Sequence, residues 1–212
     1  MINRATITLS LLMLSGCNAI GQAFTYTDAA EFIKGYATGF PSDTISDEVL
    51  ANFDSSFANI KIGRGPSSTI VLAYIDNGSH EWVSSDGVKV FTKNGFIYKT
   101  MGLSKDVTYE MFDYSDISML NTPFTTSTTF YNPELILAAV DNTIKRLDVN
   151  VVLLRPDGDK EAVVYIHEYY IPSIRWSGTN KYFVDQAGVI LRSEQKTHPN
   201  LPSFTVDFFY KY

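Results

Sequence analysis

Three tight-turn signals in succession restrict this chain more than any other feature. Asp76-Asn77-Gly78, Asp86-Gly87 and Asn94-Gly95 separate four short strand-like runs at 70–75, 80–84, 88–92 and 96–100. Asn-Gly and Asp-Gly accept the positive φ that a tight hairpin demands, so the stretch predicts an antiparallel meander. A second meander follows the same grammar. Residues 149–154 turn at Pro156-Asp157-Gly158 into 161–171, and then come 174–177, 181–185, 189–195 and 204–212. The 14 Phe and 13 Tyr residues suit a pleated, half-buried surface.

Helical periodicity is expected in three places. Asp28 and Glu31 form an N-cap with its partner three residues on, Ala29, Phe32, Ile33 and Tyr36 share a face, and Gly39 with Pro41 ends the helix. A weaker pattern opens at Ser46-Asp47-Glu48 and aligns Val49, Leu50, Phe53 and Phe57. Asn132-Pro133-Glu134 reads as a helix start, with Leu135, Ile136, Ala139, Val140, Ile144 and Leu147 on one side. The stretch 104–129 is polar and names no element.

Within 161–171, Ala162, Val164 and Ile166 point one way while Val163, Tyr165 and Tyr169 point the other. A strand apolar on both faces needs cover on both sides. The expected fold is mainly β, with α+β as the alternative. It is a strongly curved antiparallel sheet built from two meanders, with a few flanking or inserted helices packed in or across its concave side. Alternation in Phe204, Val206, Phe208, Tyr210 and Tyr212 also resembles the last strand of a membrane barrel. The helical segments favour a final sheet strand instead.

A formal net charge of −6 without a basic run makes nucleic acid a poor partner. The three histidines, His80, His167 and His198, share no helical i,i+4 spacing, and no Cys-x-x-Cys exists, so no metal site and no cofactor are expected. No nucleophile elbow or phosphate-cradling loop is present. Carboxylate pairs such as Asp113 and Asp116 are what any acidic chain offers. Candidate ligand contacts are Trp82 with Asp86, and Arg175 with Trp176. A ring beside hydrogen-bonding groups suits a pyranose, and a cation beside a ring suits a glycan or a cation–π pair. The structural explanation of each is a core tryptophan and a hairpin turn.

The N-terminus resembles that of bacterial lipoproteins. Arg4 precedes an apolar run at 5–14, then Leu14-Ser15-Gly16-Cys17 matches a lipobox. The run is too short to span a bilayer as a helix. The resemblance implies cleavage between Gly16 and Cys17 and acylation of Cys17, the sole cysteine, which leaves no thiol to oxidise in a disulfide-forming compartment. More than one acyl chain gives stable anchoring, and Asn18, in place of an aspartate, implies the outer membrane. Expected boundaries are a signal peptide at 1–16, a lipidated tether at 17–27 and one periplasmic β-rich domain at 28–212.

Further stretches carry a family resemblance. Glu81-Trp82-Val83-Ser84-Ser85-Asp86-Gly87, Phe91-Thr92-Lys93-Asn94-Gly95 and Thr100-Met101-Gly102-Leu103 resemble the YjbF/GfcB family of group 4 capsule and exopolysaccharide lipoproteins. So do Arg175-Trp176-Ser177-Gly178, Asn180-Lys181-Tyr182-Phe183-Val184-Asp185, Gly188, 191–195, Pro199, Leu201 and Pro202. The resemblance implies a lipid-anchored, periplasm-facing outer-membrane protein. It would be a non-enzymatic accessory factor in assembling or exporting a surface polysaccharide, beside a polysaccharide-export outer-membrane protein. Surface glycan is a further candidate partner. Two rivals stand beside this expectation. One is a carrier holding a lipid or lipid-linked saccharide in the sheet's concavity, which an apolar cavity would favour and a filled core would weigh against. The other is a polysaccharide-modifying enzyme, which two carboxylates facing across a cleft would favour.

Overall fold

The computed structural model of the protein describes residues 34–35, 38–40, 45, 54–110, 117–120 and 122–211. Twelve strands follow one another: β1 (Phe57–Ile62), β2 (Ser67–Asp76), β3 (Ser79–Ser84), β4 (Lys89–Lys93), β5 (Phe96–Met101), β6 (Val107–Tyr109), β7 (Phe124–Phe130), β8 (Leu135–Leu153), β9 (Lys160–Ile171), β10 (Trp176–Val184), β11 (Ile190–Gln195) and β12 (Phe204–Phe209). Each pairs antiparallel with the next, and β12 pairs with β1 from Phe57↔Phe209 to Ile62↔Phe204. The sheet thereby closes into an up-and-down barrel. The fold is mainly β and antiparallel, as the two meanders predict, and its curvature runs to full closure.

The turns form for the reason their sequences suggest. Asn77 (φ 47°) with Gly78 (φ 76°), and Asn94 (φ 44°) with Gly95 (φ 75°), carry the two positive φ values of a type I′ hairpin. Gly39 takes φ 91°, and its N–H bonds to the Gly35 carbonyl (2.7 Å), so the first helical segment ends where expected. Residues 34, 35 and 38 are helical, and the rest of that predicted helix lies outside the described residues. So does 46–53 of the second, whose last position, Phe57, begins β1 instead.

The third predicted helix is a strand. Leu135–Leu153 is a 19-residue element whose Ala138, Val140, Asn142 and Ile144 are buried at period two. Ile136, Ala139 and Leu147, assigned to a buried helical face, are exposed. Pro133 sits in the β7–β8 turn after a cis peptide bond. Ladders to β7 on one side and β9 on the other satisfy the backbone along most of this stretch. Such pairing overrides local propensity. The ambiguous 104–129 region supplies β6, a 3-10 turn at Ile117–Met119, and β7.

Among the described residues, side chains fill the middle of the barrel. Ala58, Ile60, Trp82, Val90, Phe96, Tyr165, Tyr182, Phe204, Val206 and Phe208 belong to one interior cluster, and Val107, Phe130, Val140, Tyr169 and Ile171 to a second. Between them, on three adjacent strands, the inward position is polar: Asn142 on β8, His167 on β9 and Asn180 on β10. Opposite walls also meet. Gln195 of β11 accepts from the Ile97 N–H of β5 (2.9 Å) and donates to the Gly95 carbonyl (2.8 Å), across the full ring.

Strand alternation gives the barrel two ends. The upper end carries the β1–β2, β3–β4, β5–β6, β7–β8, β9–β10 and β11–β12 connections. The β11–β12 loop folds over it: Thr197 and Lys196 carbonyls accept from the Tyr109 and Tyr169 hydroxyls, and the His198 ring packs edge-on against Phe130 at 4.9 Å. At the lower end the β8–β9 loop brings Arg155 against β11 and β12. Its guanidinium donates to the carbonyls of Leu191 (3.1 Å) and Phe208 (2.5 Å), pairs with Asp157 and lies over the Phe209 ring at 4.3 Å.

Candidate functional site

The residues singled out from sequence do not converge. Trp82 is fully buried in the interior cluster, its indole N–H donating to Thr92 Oγ1 (2.8 Å) and its ring packed on Phe208, so it presents no face to solvent. Asp86 is exposed in the β3–β4 turn, where the Ser84 hydroxyl donates to its carboxylate and holds it below the usual carboxylate range. Arg175 occupies the β9–β10 connection with φ 51°, and Trp176 is half-buried in T-shaped contacts with Tyr169 and Phe130. The shorter way round the ring from β3 to β10 crosses β2, β1, β12 and β11, so the two pairs stand apart. Gly16, Cys17, Asp113 and Asp116 lie outside the described residues.

Inside the barrel the polar layer forms one continuous chain. His167 Nε2 bonds to Asn142 Oδ1 (2.9 Å), and Asn180 Nδ2 bonds to His167 Nδ1 (3.3 Å). Asn180 meets the Tyr182 hydroxyl (3.4 Å), which donates to Gln195 Oε1 (3.2 Å). The Asn142 amide, in turn, donates to the Val140 carbonyl and Thr126 Oγ1. Burial pulls the His167 pKa down to about 4, so the ring is neutral, and donation to Asn142 with acceptance from Asn180 places its proton on Nε2. The free space beside this chain is about 30 Å³, room for about one water molecule. The middle of the barrel, filled in this way, has no place for an acyl chain or a saccharide. It weighs against a carrier that uses the sheet's concavity.

Open space lies instead at the lower mouth. A groove of about 550 Å³ runs between Ile117 and Ser118, the inward faces of Tyr165, Val163 and Val184, and the β10–β11 turn at Asp185–Gly188. A smaller recess of about 210 Å³ shares Arg146, Val163, Val184 and Gln186 with it and adds Glu161 and Asn150. The mouth opens here because the β8–β9 ladder slips: Arg146 faces Tyr165, while the next pair is Asn150 with Val163. Residues 147–149 loop outward and leave Arg146 at the rim. Asp185 is already engaged, accepting from the Ala187 and Val189 N–H groups at 2.9 Å each. Among the described residues, Arg146 makes no ion pair. A guanidinium, an amide and a phenol ring around a groove of this size can hold the hydroxyls and carboxylate of a sugar.

Asp141 and Glu168, two carboxylates beside a further open space, belong to the outer wall of β8 and β9 and do not face across a cleft. Glu168 pairs with Lys145 (3.0 Å), and Asp141 accepts from Thr125 (3.2 Å). Sequence reasoning missed the groove because Arg146 fell inside the supposed helix. The one legible signal was Tyr165, on a strand apolar on both faces.

Comparisons with known proteins agree with the geometry. Residues 33–209 match the family model described as group 4 capsule polysaccharide lipoprotein gfcB, YjbF. The chain is 21% identical over 201 residues to the uncharacterized lipoprotein YjbF of Escherichia coli (strain K12), covering 92% of this chain and 91% of the relative. It is 24% identical over 101 residues to the uncharacterized lipoprotein GfcB of the same strain, covering 48% and 45%. The crystal structure of the hypothetical lipoprotein YmcC from Escherichia coli (K12) superposes with a TM-score of 0.69 at 16% identity, covering 92% of this chain and 99% of that one, which shows the shared fold.

Proposed function

The chain belongs to the YjbF family of group 4 capsule polysaccharide lipoproteins, and from that membership we propose that it is a non-enzymatic accessory factor in assembling or exporting a surface polysaccharide. It is anchored to the outer membrane through acylated Cys17, faces the periplasm and works beside a polysaccharide-export outer-membrane protein. The observation that carries this reading is the family match, which spans all twelve strands of the barrel. The filled interior supports it, since only the outer wall and the two ends remain for contacts. Where glycan is touched, the lower groove around Arg146 is the surface that fits it.

Deletion of the gene in its native host, with surface and intracellular polysaccharide quantified separately, tests the role. Material lost from the surface and retained inside is expected. Unchanged amount and location would refute an export function. Cys17→Ser should abolish lipid labelling and remove the protein from outer-membrane fractions. Unchanged fractionation would sink the anchor.

A further inference from the structure

At the upper end, the β7–β8 turn with the first residues of β8, and the β9–β10 connection, carry large apolar side chains into solvent. Ile136 is 62% and Leu137 72% exposed, with Tyr131 and Ile174 at 45% and 40%. These are adjacent in space as well as similar in chemistry, because β8 and β9 are neighbours and the Pro172–Ile174 turn continues from β9 opposite the start of β8.

The backbone is arranged to produce this exposure. The β7–β8 ladder slips between Thr128 and Phe130, which face Ala138 and Leu135, so Ile136 and Leu137 are squeezed out of the register. Leu137 takes φ 50°, a conformation that suits glycine or asparagine and is strained for leucine. Its N–H is held by Thr129 Oγ1 at 3.2 Å. A strained, solvent-exposed leucine beside an exposed isoleucine gains little burial from the fold.

Charge and chain direction identify the occupant. Lys105, bonded to the Asn132 carbonyl (2.9 Å), and Arg175 flank the patch, against Glu134 in the same turn, on a protein whose net charge is −6. The N-terminal segment also reaches the barrel at this end: the Phe40 N–H bonds to the Arg64 carbonyl (3.1 Å) in the β1–β2 turn, and Lys61 donates to the Phe40 carbonyl (2.6 Å). Sixteen residues lie between Cys17 and Lys34, a tether of at most about 60 Å when extended. We infer that this upper rim, built on Ile136, Leu137, Ile174 and Tyr131 with Lys105 and Arg175, rests in the interface of an anionic phospholipid bilayer. Only the orientation rests on the Cys17 anchor proposed above. The anchor would limit how far the protein strays, and the rim would set how it stands, with the groove at the lower mouth turned away from the lipid.

The test uses the processed, full-length protein in vesicles of phosphatidylethanolamine and phosphatidylglycerol. Cys17 is the sole native cysteine, so Leu137→Cys can take one environment-sensitive fluorophore once Cys17 is acylated, with Ile75→Cys at the lower end as control. The label at 137 is expected to shift to the blue and be quenched by lipids carrying a quencher near the headgroup, while that at 75 stays solvent-like. Equal, solvent-like behaviour at both would overturn the inference. So would burial of the 137 label only when an export channel is co-reconstituted, which would assign the patch to a protein partner. If Cys17 reacts with maleimide, the anchor reading fails separately. Flotation of that unacylated protein with and without Leu137→Asn then decides the rim, with binding on the order of tenfold weaker expected in the variant and equal binding overturning the inference. Asparagine tolerates the left-handed backbone, so the variant keeps the fold.

Discussion

His167 sets how the barrel answers acid. Its ring sits between two amides, one accepting its proton and one donating to its bare nitrogen, and burial holds it neutral with a pKa near 4 against an ordinary 6.5. Between those values the unfolded chain binds the extra proton and the folded chain does not. Stability is therefore complete above about pH 6.5 and is lost as pH falls towards 4, by at most about 3 kcal/mol from this residue. Burial lowers His80 and His198 as well, so their contributions have the same sign. Urea midpoints measured across that range should fall in the wild type, and His167→Gln should flatten the slope. A slope identical in the two proteins would mean that His167 does not govern it. Arg155 makes a different prediction. Removing its guanidinium in Arg155→Met leaves two buried carbonyls without a donor, and equilibrium unfolding should show a loss of about 2–4 kcal/mol. Neither role was legible in the sequence. His167 and Arg155 acquire their partners from strands between 13 and 53 positions away, and spacing along the chain carries no record of them. Trp82 illustrates the reverse, since a tryptophan beside a turn reads as a ligand platform or as core, and burial alone decides.

At the scale of elements, hairpins were legible and the long strand was not. Asn-Gly and Asp-Gly dictate their own backbone, so β2–β5 fall close to where the turns put them. β8 was hidden because its apolar residues satisfy two periods at once. Val140 and Ile144 fit both a helical face and alternate strand positions, and only pairing with β7 and β9 selects the second. β1 was missed for a related reason, since Phe57 also completed a helical pattern. The packing between β9 and β10 offers a direct check. Gly178 faces Tyr169, and a Cβ there would overlap the tyrosine ring, whose hydroxyl is tied to Lys196. Gly178→Ala should lower the thermal midpoint through a cost of about 1–3 kcal/mol. Gly178→Ala combined with Tyr169→Phe should recover part of it, because the hydroxyl is the nearest obstacle. No recovery would place the strain elsewhere.

For the whole molecule, closure is the property that a strand-by-strand reading could not reach. Strong curvature followed from strands apolar on both faces, but helices were expected to cover the concave side. In the barrel, side chains from opposite walls cover one another, and Gln195 links β11 to β5 directly. Closure makes the fold all-or-none, since β1 loses one neighbour if β12 is absent and the ring then has two open edges. A chain ending before Phe204 should show no cooperative unfolding transition and should aggregate, as judged by thermal melts and light scattering. A sharp transition with a monomeric product would show that eleven strands suffice.

The β1–β12 seam also has a consequence for how such a chain is made. Its first strand must wait for its last, because Phe57 stacks on Phe209 at 4.8 Å across that seam. A polypeptide threaded through a translocon from its N-terminus would therefore emerge with nothing to complete, and would stay loose and threadable until nearly all of it had passed. The seam works as a latch that only the finished chain can close.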